Sequence, residues 1–290
     1  MKSRVIRLTA GDWICELRPE LGGAITSLGL GGRPVLRPTP ETASAILETA
    51  CFPLIPYANR IADAGFQFQG RAVALPVLEA FAPHALHGDG WLNPWKVTAQ
   101  GPDHATMRLD WAGDAEGWPW SWSAQQTVRL SEAGLRIDLR ATNTDQTAQP
   151  MGLGLHPYFT RSDDAWLQLA ATGVWLTDDR EIPHRLASPG ELIDWSEGVA
   201  LVEAPFVDHA YAGWTGPARL ATGGRTVLVD ASPNAGWTQV YAPRGETFVC
   251  IEPVTHRPDA VHAPSGEATG LVVLEPGQSL AISMTIRIED

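Results

Sequence analysis

Wherever the hydrophobicity of this 290-residue chain has a clear period, that period is two. Residues 135–140 and 282–289 alternate apolar and polar side chains, which is the pattern of strands with one buried and one exposed face. A hairpin is predicted around Gly223-Gly224, because glycines supply the positive φ angles of a tight turn. The 28 glycines and 23 prolines predict frequent turns elsewhere. These signals predict an all-β fold, an antiparallel sandwich or barrel.

Helical periodicity is confined to one segment, residues 41–50, where we expect a short helix. No internal repeat and no linker-like change of composition divides the chain, and all-β domains often reach this length around one core. We therefore expect residues 1–290 to form a single domain. The long connections around residues 52–63, 82–94 and 177–205 are expected to be loops, and loops on a rigid sheet commonly carry function.

Composition argues against several classes of partner. A net charge of −12 would repel nucleic acid and an anionic membrane surface. No apolar segment has the length of a signal peptide or a bilayer span, so we expect a cytoplasmic protein that does not bind membranes. Cys15, Cys51 and Cys250 lack the spacing of a zinc site or a disulfide framework, and we expect buried free thiols.

One histidine lies in an apolar and aromatic segment, residues 152–159, which read Gly-Leu-Gly-Leu-His-Pro-Tyr-Phe. Loss of water around His156 would move its pKa across the neutral range and suit it to proton transfer. The alternative is a core histidine whose two nitrogens are simply hydrogen-bonded. Glu252 follows the apolar residues 248–251 and precedes a proline. Desolvation there would raise the pKa of its carboxyl group and suit it to general-base catalysis.

Further polar positions lie among glycine, proline and aromatic residues. Arg60 follows Asn59 in a mostly uncharged stretch, so its guanidinium needs a carboxylate, a carbonyl or a ligand hydroxyl from elsewhere. His87 precedes a glycine-rich turn through which a ligand could approach the main chain, and Trp91 in the same loop offers a flat face that suits a sugar. His84 allows a metal hypothesis, but two histidines on one loop support it weakly, and we expect no metal.

In chain order, these segments resemble the aldose 1-epimerase (galactose mutarotase) family. The resemblance extends from about residue 59 to residue 277. It implies a large antiparallel β-sandwich with an open groove, no metal or organic cofactor, and an isomerase that interconverts the α and β anomers of a free sugar. The motifs that carry the resemblance are Asn59-Arg60, Leu86-His87-Gly88, Gly154-Leu155-His156-Pro157-Tyr158-Phe159 and Cys250-Ile251-Glu252-Pro253.

The resemblance also implies roles for individual residues. Glu252 would remove the proton from the anomeric hydroxyl, and His156 would protonate the ring oxygen, with His87 as the alternative acid. Arg60 and His87 would bind and orient the sugar. Asp208 lies in a Phe-Val-Asp-His-Ala-Tyr segment that is similar to the family's sugar-binding aspartate. Further substrate contacts are expected from Asn59, Trp91 and Tyr158.

Three other functions stay open on the sequence. A related branch acts on hexose 6-phosphates and holds the phosphate with arginines; Arg60 and Arg71 are available, but no arginine cluster surrounds them, so we favour the free sugar. A non-catalytic carbohydrate-binding protein on the same fold would not need an acid and a base together. A zinc hydrolase would use His84, His87 and a distant carboxylate. The expected partner is a small sugar, and both a monomer and a homodimer are compatible with the sequence.

Overall fold

The computed structural model describes residues 5–289, and strands dominate them. In chain order the strands are β1 (Ile6–Ala10), β2 (Trp13–Arg18), β3 (Ala24–Leu30), β4 (Arg33–Pro34), β5 (Cys51–Leu54), β6 (Arg60–Ile61), β7 (Gly65–Phe68), β8 (Arg71–Ala74), β9 (Ala85–Leu86), β10 (Lys96–Gln100), β11 (His104–Trp111), β12 (Trp122–Ser131), β13 (Gly134–Asn143), β14 (Gln149–Met151), β15 (Gly154–Thr160), β16 (Trp166–Ala170), β17 (Gly173–Thr177), β18 (Pro183–Ala187), β19 (Val199–Ala200), β20 (Val207–Ala212), β21 (Thr215–Thr222), β22 (Arg225–Ala231), β23 (Trp237–Ala242), β24 (Phe248–Val254), β25 (Val272–Leu274) and β26 (Ser279–Glu289). Short 3₁₀ turns cover Ile46–Glu48, Ala62–Ala64, Glu79–Phe81, Pro189–Glu191 and Ala260–His262.

Most strands belong to two large antiparallel sheets. The first has the order β1-β2-β3-β5-β15-β24-β23-β20-β17-β18, with β4 paired to β3, and the second has the order β10-β11-β12-β13-β26-β22-β21-β16-β19. The pairs β14-β25, β6-β9 and β7-β8 form small separate ribbons. Residues from both large sheets contribute to one hydrophobic cluster, so the fold is the antiparallel β-sandwich that the resemblance implies.

The period of two decides which side chains of the central strands face outward. In β15, Leu155 and Phe159 belong to the inter-sheet core, whereas Tyr158 packs in a separate cluster on the opposite face. In β24, Ile251 belongs to the core and Cys250 to the outer cluster. Because alternate residues of a strand point to opposite faces, His156 and Glu252 share that outer face with Tyr158 and Cys250.

The strand predictions are confirmed. Residues 135–140 lie within β13, residues 282–289 lie within β26, and β21 and β22 form a hairpin around Gly223 and Gly224, whose φ angles are +56° and +77°. The loops expected at residues 52–63, 82–94 and 177–205 are interrupted by short strands and by two 3₁₀ turns. The three cysteines are buried and free, as expected. No helix within residues 5–289 is long and apolar enough to cross a membrane.

The helix predicted for residues 41–50 is wrong, because only Ile46–Glu48 forms a 3₁₀ turn. The Glu48 carboxylate folds back to accept hydrogen bonds from the main-chain N–H groups of Ser44 and Ala45. A ten-residue helix has few internal hydrogen bonds to offset the cost of starting it, so these local bonds and the burial of Ile46 prevail.

Candidate active site

Four adjacent strands of the first sheet, β5, β15, β24 and β23, form the floor of the candidate site. The strand register aligns Phe52 with His156 across β5 and β15, and Glu252 with Gln239 across β24 and β23. The neighbouring row aligns Tyr158 with Cys250, Cys250 with Tyr241, and Tyr241 with Asp208 on β20. Side chains such as Phe52 and His156, which are 104 positions apart in the sequence, therefore meet because their strands are neighbours.

An open cleft of about 790 Å³ lies above this floor. His156, Glu252 and Gln239 line its base. Loops supply the walls: residues 59–60 and 80–87 from one side, and residues 179–181 from another. A cleft of this volume falls in the range that encloses small organic ligands.

Glu252 and His156 meet at the base of the cleft. His156 Nε2 lies 3.4 Å from Glu252 Oε1, and the side chains are only 8% and 3% exposed. Burial, reinforced by the Asp208 carboxylate, raises the pKa of Glu252 well above its ordinary value. Burial, with a smaller contribution from the Arg37 cation, lowers the pKa of His156 to about 3. Both shifts favour the uncharged forms, a protonated Glu252 carboxyl group and a neutral His156 ring.

His87 is held beside this pair by main-chain contacts. The Asn59 N–H donates to His87 Nδ1 at 3.0 Å, and the His87 N–H donates to the Asn59 carbonyl at 3.0 Å. Because Nδ1 accepts, the proton of the neutral ring must lie on Nε2. Burial lowers the pKa of His87 well below its ordinary value, with further lowering from His156 and Arg60. Asn59 and His87 both have φ near +60°, a backbone strain of the kind found at ligand sites.

Arg60 joins two carboxylates at the wall of the cleft. Its guanidinium donates to Glu181 and lies 3.6 Å from Asp208 Oδ2. Gln239 Nε2 donates to the other Asp208 oxygen at 2.5 Å. Gln239 Oε1 is buried and accepts no hydrogen bond from any residue between 5 and 289. This row therefore has a buried acceptor that a ligand hydroxyl could satisfy, next to an anchored aspartate.

Seven of the eight residues singled out from the sequence line the same cleft: Asn59, Arg60, His87, His156, Tyr158, Asp208 and Glu252. Trp91 is the exception, and its prediction as a sugar contact is wrong. It is 1% exposed, its Nε1–H donates to the Gly88 carbonyl, and its ring packs on Phe52 and the edge of His87. Trp91 instead supports the His87 loop from beneath.

The sequence reasoning missed Arg37, Glu181 and Gln239, which also line the cleft. Gln239 lies in a strand whose alternating pattern, read against that of β24, would have placed it beside Glu252. Arg37 and Glu181 lie in irregular segments, and no local pattern marked them.

The zinc hypothesis on His84 and His87 does not fit the geometry. Both nitrogens of His84 are used, because Nδ1 accepts from the Asp63 N–H and Nε2 donates to the Arg180 carbonyl. Within the described part of the chain, one group of side chains is compact enough to hold a metal ion. The possible ligand atoms of His156, Cys250 and Glu252 lie within 4.8 Å of one another. Two of these are the His156 and Glu252 pair described above, and burial holds the pKa of the Cys250 thiol well above its ordinary value. A metal-free site stays a prediction.

The fold and the site together define a class: a galactose mutarotase-like β-sandwich whose open cleft holds a carboxyl and imidazole pair. The chain belongs to the aldose 1-epimerase family, whose sequence profile matches residues 4–287.

The comparisons with individual proteins agree with this assignment. The uncharacterized Escherichia coli K12 protein YphB is 30% identical over 281 residues, which are 93% of this chain and 94% of YphB. A crystal structure of a candidate aldose 1-epimerase from the same organism has a TM-score of 0.88 at 28% identity and covers 99% of each chain. A galactose mutarotase-like protein from Clostridium acetobutylicum has a TM-score of 0.86 at 19% identity, covering 99% of this chain and 95% of its own, and it supports the fold alone.

Proposed function

We propose that this protein is an aldose 1-epimerase that interconverts the α and β anomers of a free monosaccharide. The observation that carries the proposal is the 3.4 Å contact between His156 Nε2 and Glu252 Oε1 at the base of an open cleft. Opening a hemiacetal ring requires one proton to leave the anomeric hydroxyl and one to reach the ring oxygen, so an acid and a base must face the same centre.

The single proton of the pair matches this requirement. In the proposed reaction, Glu252 first passes its proton to His156 across their contact, which leaves a carboxylate and an imidazolium. Glu252 then takes the proton of the anomeric hydroxyl while His156 gives its proton to the ring oxygen. The C1–O5 bond breaks, an aldehyde forms, and the pair returns to its resting protonation state. Rotation about the C1–C2 bond and the reverse transfers close the ring as the other anomer.

The surrounding polar groups suit the binding and orientation of a sugar. His87 presents its Nε2–H to the cleft, and Arg60 supplies guanidinium donors that stabilise negative charge as it develops on oxygen. Asp208 and the free Gln239 Oε1 are acceptors for sugar hydroxyls. Asn59 fixes the position of His87 through its main chain, and its Oδ1 accepts from the Arg60 N–H at 2.8 Å.

The charges of the cleft favour a free sugar over a hexose 6-phosphate. Arg60 is paired with Glu181 and Asp208, and Arg180 is paired with Asp63. A phosphate would have to displace these carboxylates or lie beside them, at a cost in repulsion. Arg71, the other arginine considered from the sequence, stacks over Trp120 and does not line the cleft.

The experiment follows the approach of pure α and β aldoses to anomeric equilibrium by polarimetry or NMR. Glu252→Gln and His156→Asn are each expected to lower kcat about 10²- to 10⁴-fold, because each removes one partner of the proton transfer. Glu203→Gln, a substitution at an exposed glutamate, is the matched control and should keep the full rate.

Three results would contradict the assignment. Full activity of Glu252→Gln and His156→Asn would exclude them as base and acid, and loss of activity in His87→Asn alone would make His87 the acid. Stabilisation of the protein by a sugar without faster anomer exchange would indicate a binding protein instead.

A further inference from the structure

A column of stacked planar groups runs along one side of the cleft floor. The Arg37 Cζ atom lies 3.8 Å from the centre of the Tyr158 ring. Tyr158 stacks on His156 at 4.7 Å with an interplanar angle of 19°, and His156 packs on Phe52 at 4.7 Å and 30°. Phe52 in turn stacks on Trp91 at 5.5 Å and 23°. The centres of the Tyr158 and Phe52 rings are only 6.3 Å apart. The two rings therefore lie at roughly a right angle about the centre of His156, and the stacked column is formed by Arg37, Tyr158 and His156.

No hydrogen bond fixes the rotation of the His156 ring from behind. A catalytic histidine is commonly oriented by a hydrogen bond at the ring nitrogen that faces away from the chemistry. In His156 that nitrogen is Nδ1, which is buried and has no hydrogen-bond partner within residues 5–289. The stacked contact with Tyr158 and the tilted contact with Phe52 are then the packing that holds the ring plane so that Nε2 points at Glu252.

Arg37 is itself firmly anchored. Its terminal Nη2 donates to the carbonyls of Leu47 and Thr49 at 2.6 and 2.8 Å, and its main-chain N–H donates to the Tyr158 carbonyl at 2.7 Å. The guanidinium also lies 4.7 Å from the centre of the Phe248 ring. A guanidinium cation is attracted to the negative face of an aromatic ring, so the anchored Arg37 holds the Tyr158 ring in position.

We propose that Arg37 is a positioning residue for His156: it stacks on Tyr158 and, through that ring, fixes the plane of the imidazole. The catalytic consequence rests on the proposed function, whereas the effect on the ring itself does not. The charge of Arg37 acts across two stacking intervals, 3.8 and 4.7 Å, through a water-poor column. Removing it should therefore make His156 easier to protonate, by about half a pH unit to one pH unit. The titratable and charged groups that face His156 from the elements around it are Arg37, Cys51, His87, Tyr158, Cys250 and Glu252.

The test uses three variants of the whole protein. Arg37→Gln keeps a planar group and removes the charge, and Arg37→Lys keeps the charge and removes the planar face. Arg71→Gln is the matched control, because Arg71 also lies over an aromatic ring, 5.3 Å from the centre of Trp120, but outside the cleft. Each variant is checked by thermal unfolding, by NMR of ¹⁵N-histidine-labelled protein, and by the pH dependence of kcat/KM for mutarotation.

We expect Arg37→Gln to shift the acid-side decline of kcat/KM to higher pH by about half a unit to one unit, while KM changes little. Arg37→Lys should leave the pH of that decline unchanged and lower kcat. It should also move the chemical shifts of the His156 ring protons, which the stacked Tyr158 ring displaces, toward those of an unstacked histidine. Arg71→Gln should do none of these.

The proposal is overturned if folded Arg37→Gln and Arg37→Lys both keep the wild-type His156 signals, whatever the activity. If the wild type does not accelerate mutarotation, the proposed function fails, and the NMR signals still decide the role of Arg37. If Arg37→Gln does not fold, the signals of Arg37→Lys decide it.

Discussion

Gly152 carries no chemistry, yet we expect its replacement by alanine to damage both stability and activity. A Cβ built at Gly152 would lie 1.9 Å from His256 Cδ2 and 2.3 Å from His256 Nε2. His256 cannot give way easily, because it is buried, its Nε2 accepts from the Ala58 N–H at 3.0 Å, and its Nδ1 donates to the Arg257 carbonyl at 2.7 Å. The added methyl must therefore break the contact with Ala58 or move the chain.

The expected cost has two parts. Overpacking of a filled interior costs about 1–3 kcal/mol, and a buried N–H left without its acceptor costs about 1–3 kcal/mol. Together they lower the free energy of unfolding by about 2–6 kcal/mol, which corresponds to about 3–10 °C in Tm for a chain of this size. Because Ala58 directly precedes Asn59 and Arg60, kcat/KM for mutarotation should fall as well.

The assay is thermal and urea unfolding of Gly152→Ala beside Gly190→Ala. The control glycine has open space where its Cβ would lie and no positive φ, so its variant should stay within about 0.5 kcal/mol of wild type. Equal Tm values for wild type and Gly152→Ala would refute the argument that His256 buttresses the Asn59-Arg60 segment.

Three further predictions concern the surroundings of the site. Trp91→Phe loses the hydrogen bond to the Gly88 carbonyl, and we expect about 1 kcal/mol lower stability and a several-fold lower kcat/KM, measured by unfolding and anomer exchange; an unchanged kcat/KM would contradict its supporting role. Burial lowers the pKa of His256 to about 4, below the unfolded value of about 6.5, so its contribution to stability is present above pH 6.5 and is lost as the pH falls toward 4. Wild type should therefore lose about 2 kcal/mol more than His256→Gln between pH 7 and 5 in urea titrations, and parallel losses would contradict this. Glu181→Gln removes a carboxylate from Arg60, so the ratio of kcat/KM for hexose 6-phosphate to that for free hexose should rise several-fold; a constant ratio would argue against charge exclusion.

The sequence predicts the fold and the floor of the site because both depend on the period of two. Alternation identifies strands, and it also places His156 and Tyr158 on one face of β15 and Glu252 on the matching face of β24. The resemblance gave the order of the motifs along the chain. That His156 and Glu252 are in contact became clear only from the pairing of β15 with β24 in the structure.

What the sequence missed depends on tertiary contacts. Trp91 is an aromatic residue of the kind that binds sugars, yet the loop directs its ring beneath His87. Burial of the indole there stabilises the fold more than an exposed ring would. Arg37 lies in an irregular segment, and its importance appears only where its guanidinium reaches the Tyr158 ring. The ionisation of Glu252 likewise depends on Asp208, which lies 44 positions earlier in the sequence and on a different strand.

The pairing of β15 with β24 has a consequence for how relatives of this protein can diverge. Neighbouring strands are held about 4.8 Å apart by their ladder of hydrogen bonds, so the spacing between the two proton-carrying side chains is inherited from the sheet itself. The walls, by contrast, come from turns such as residues 178–182, which can lengthen or change charge without disturbing that ladder. On the proposed function, new sugars can be accommodated by changes in these turns while the spacing of His156 and Glu252 is kept.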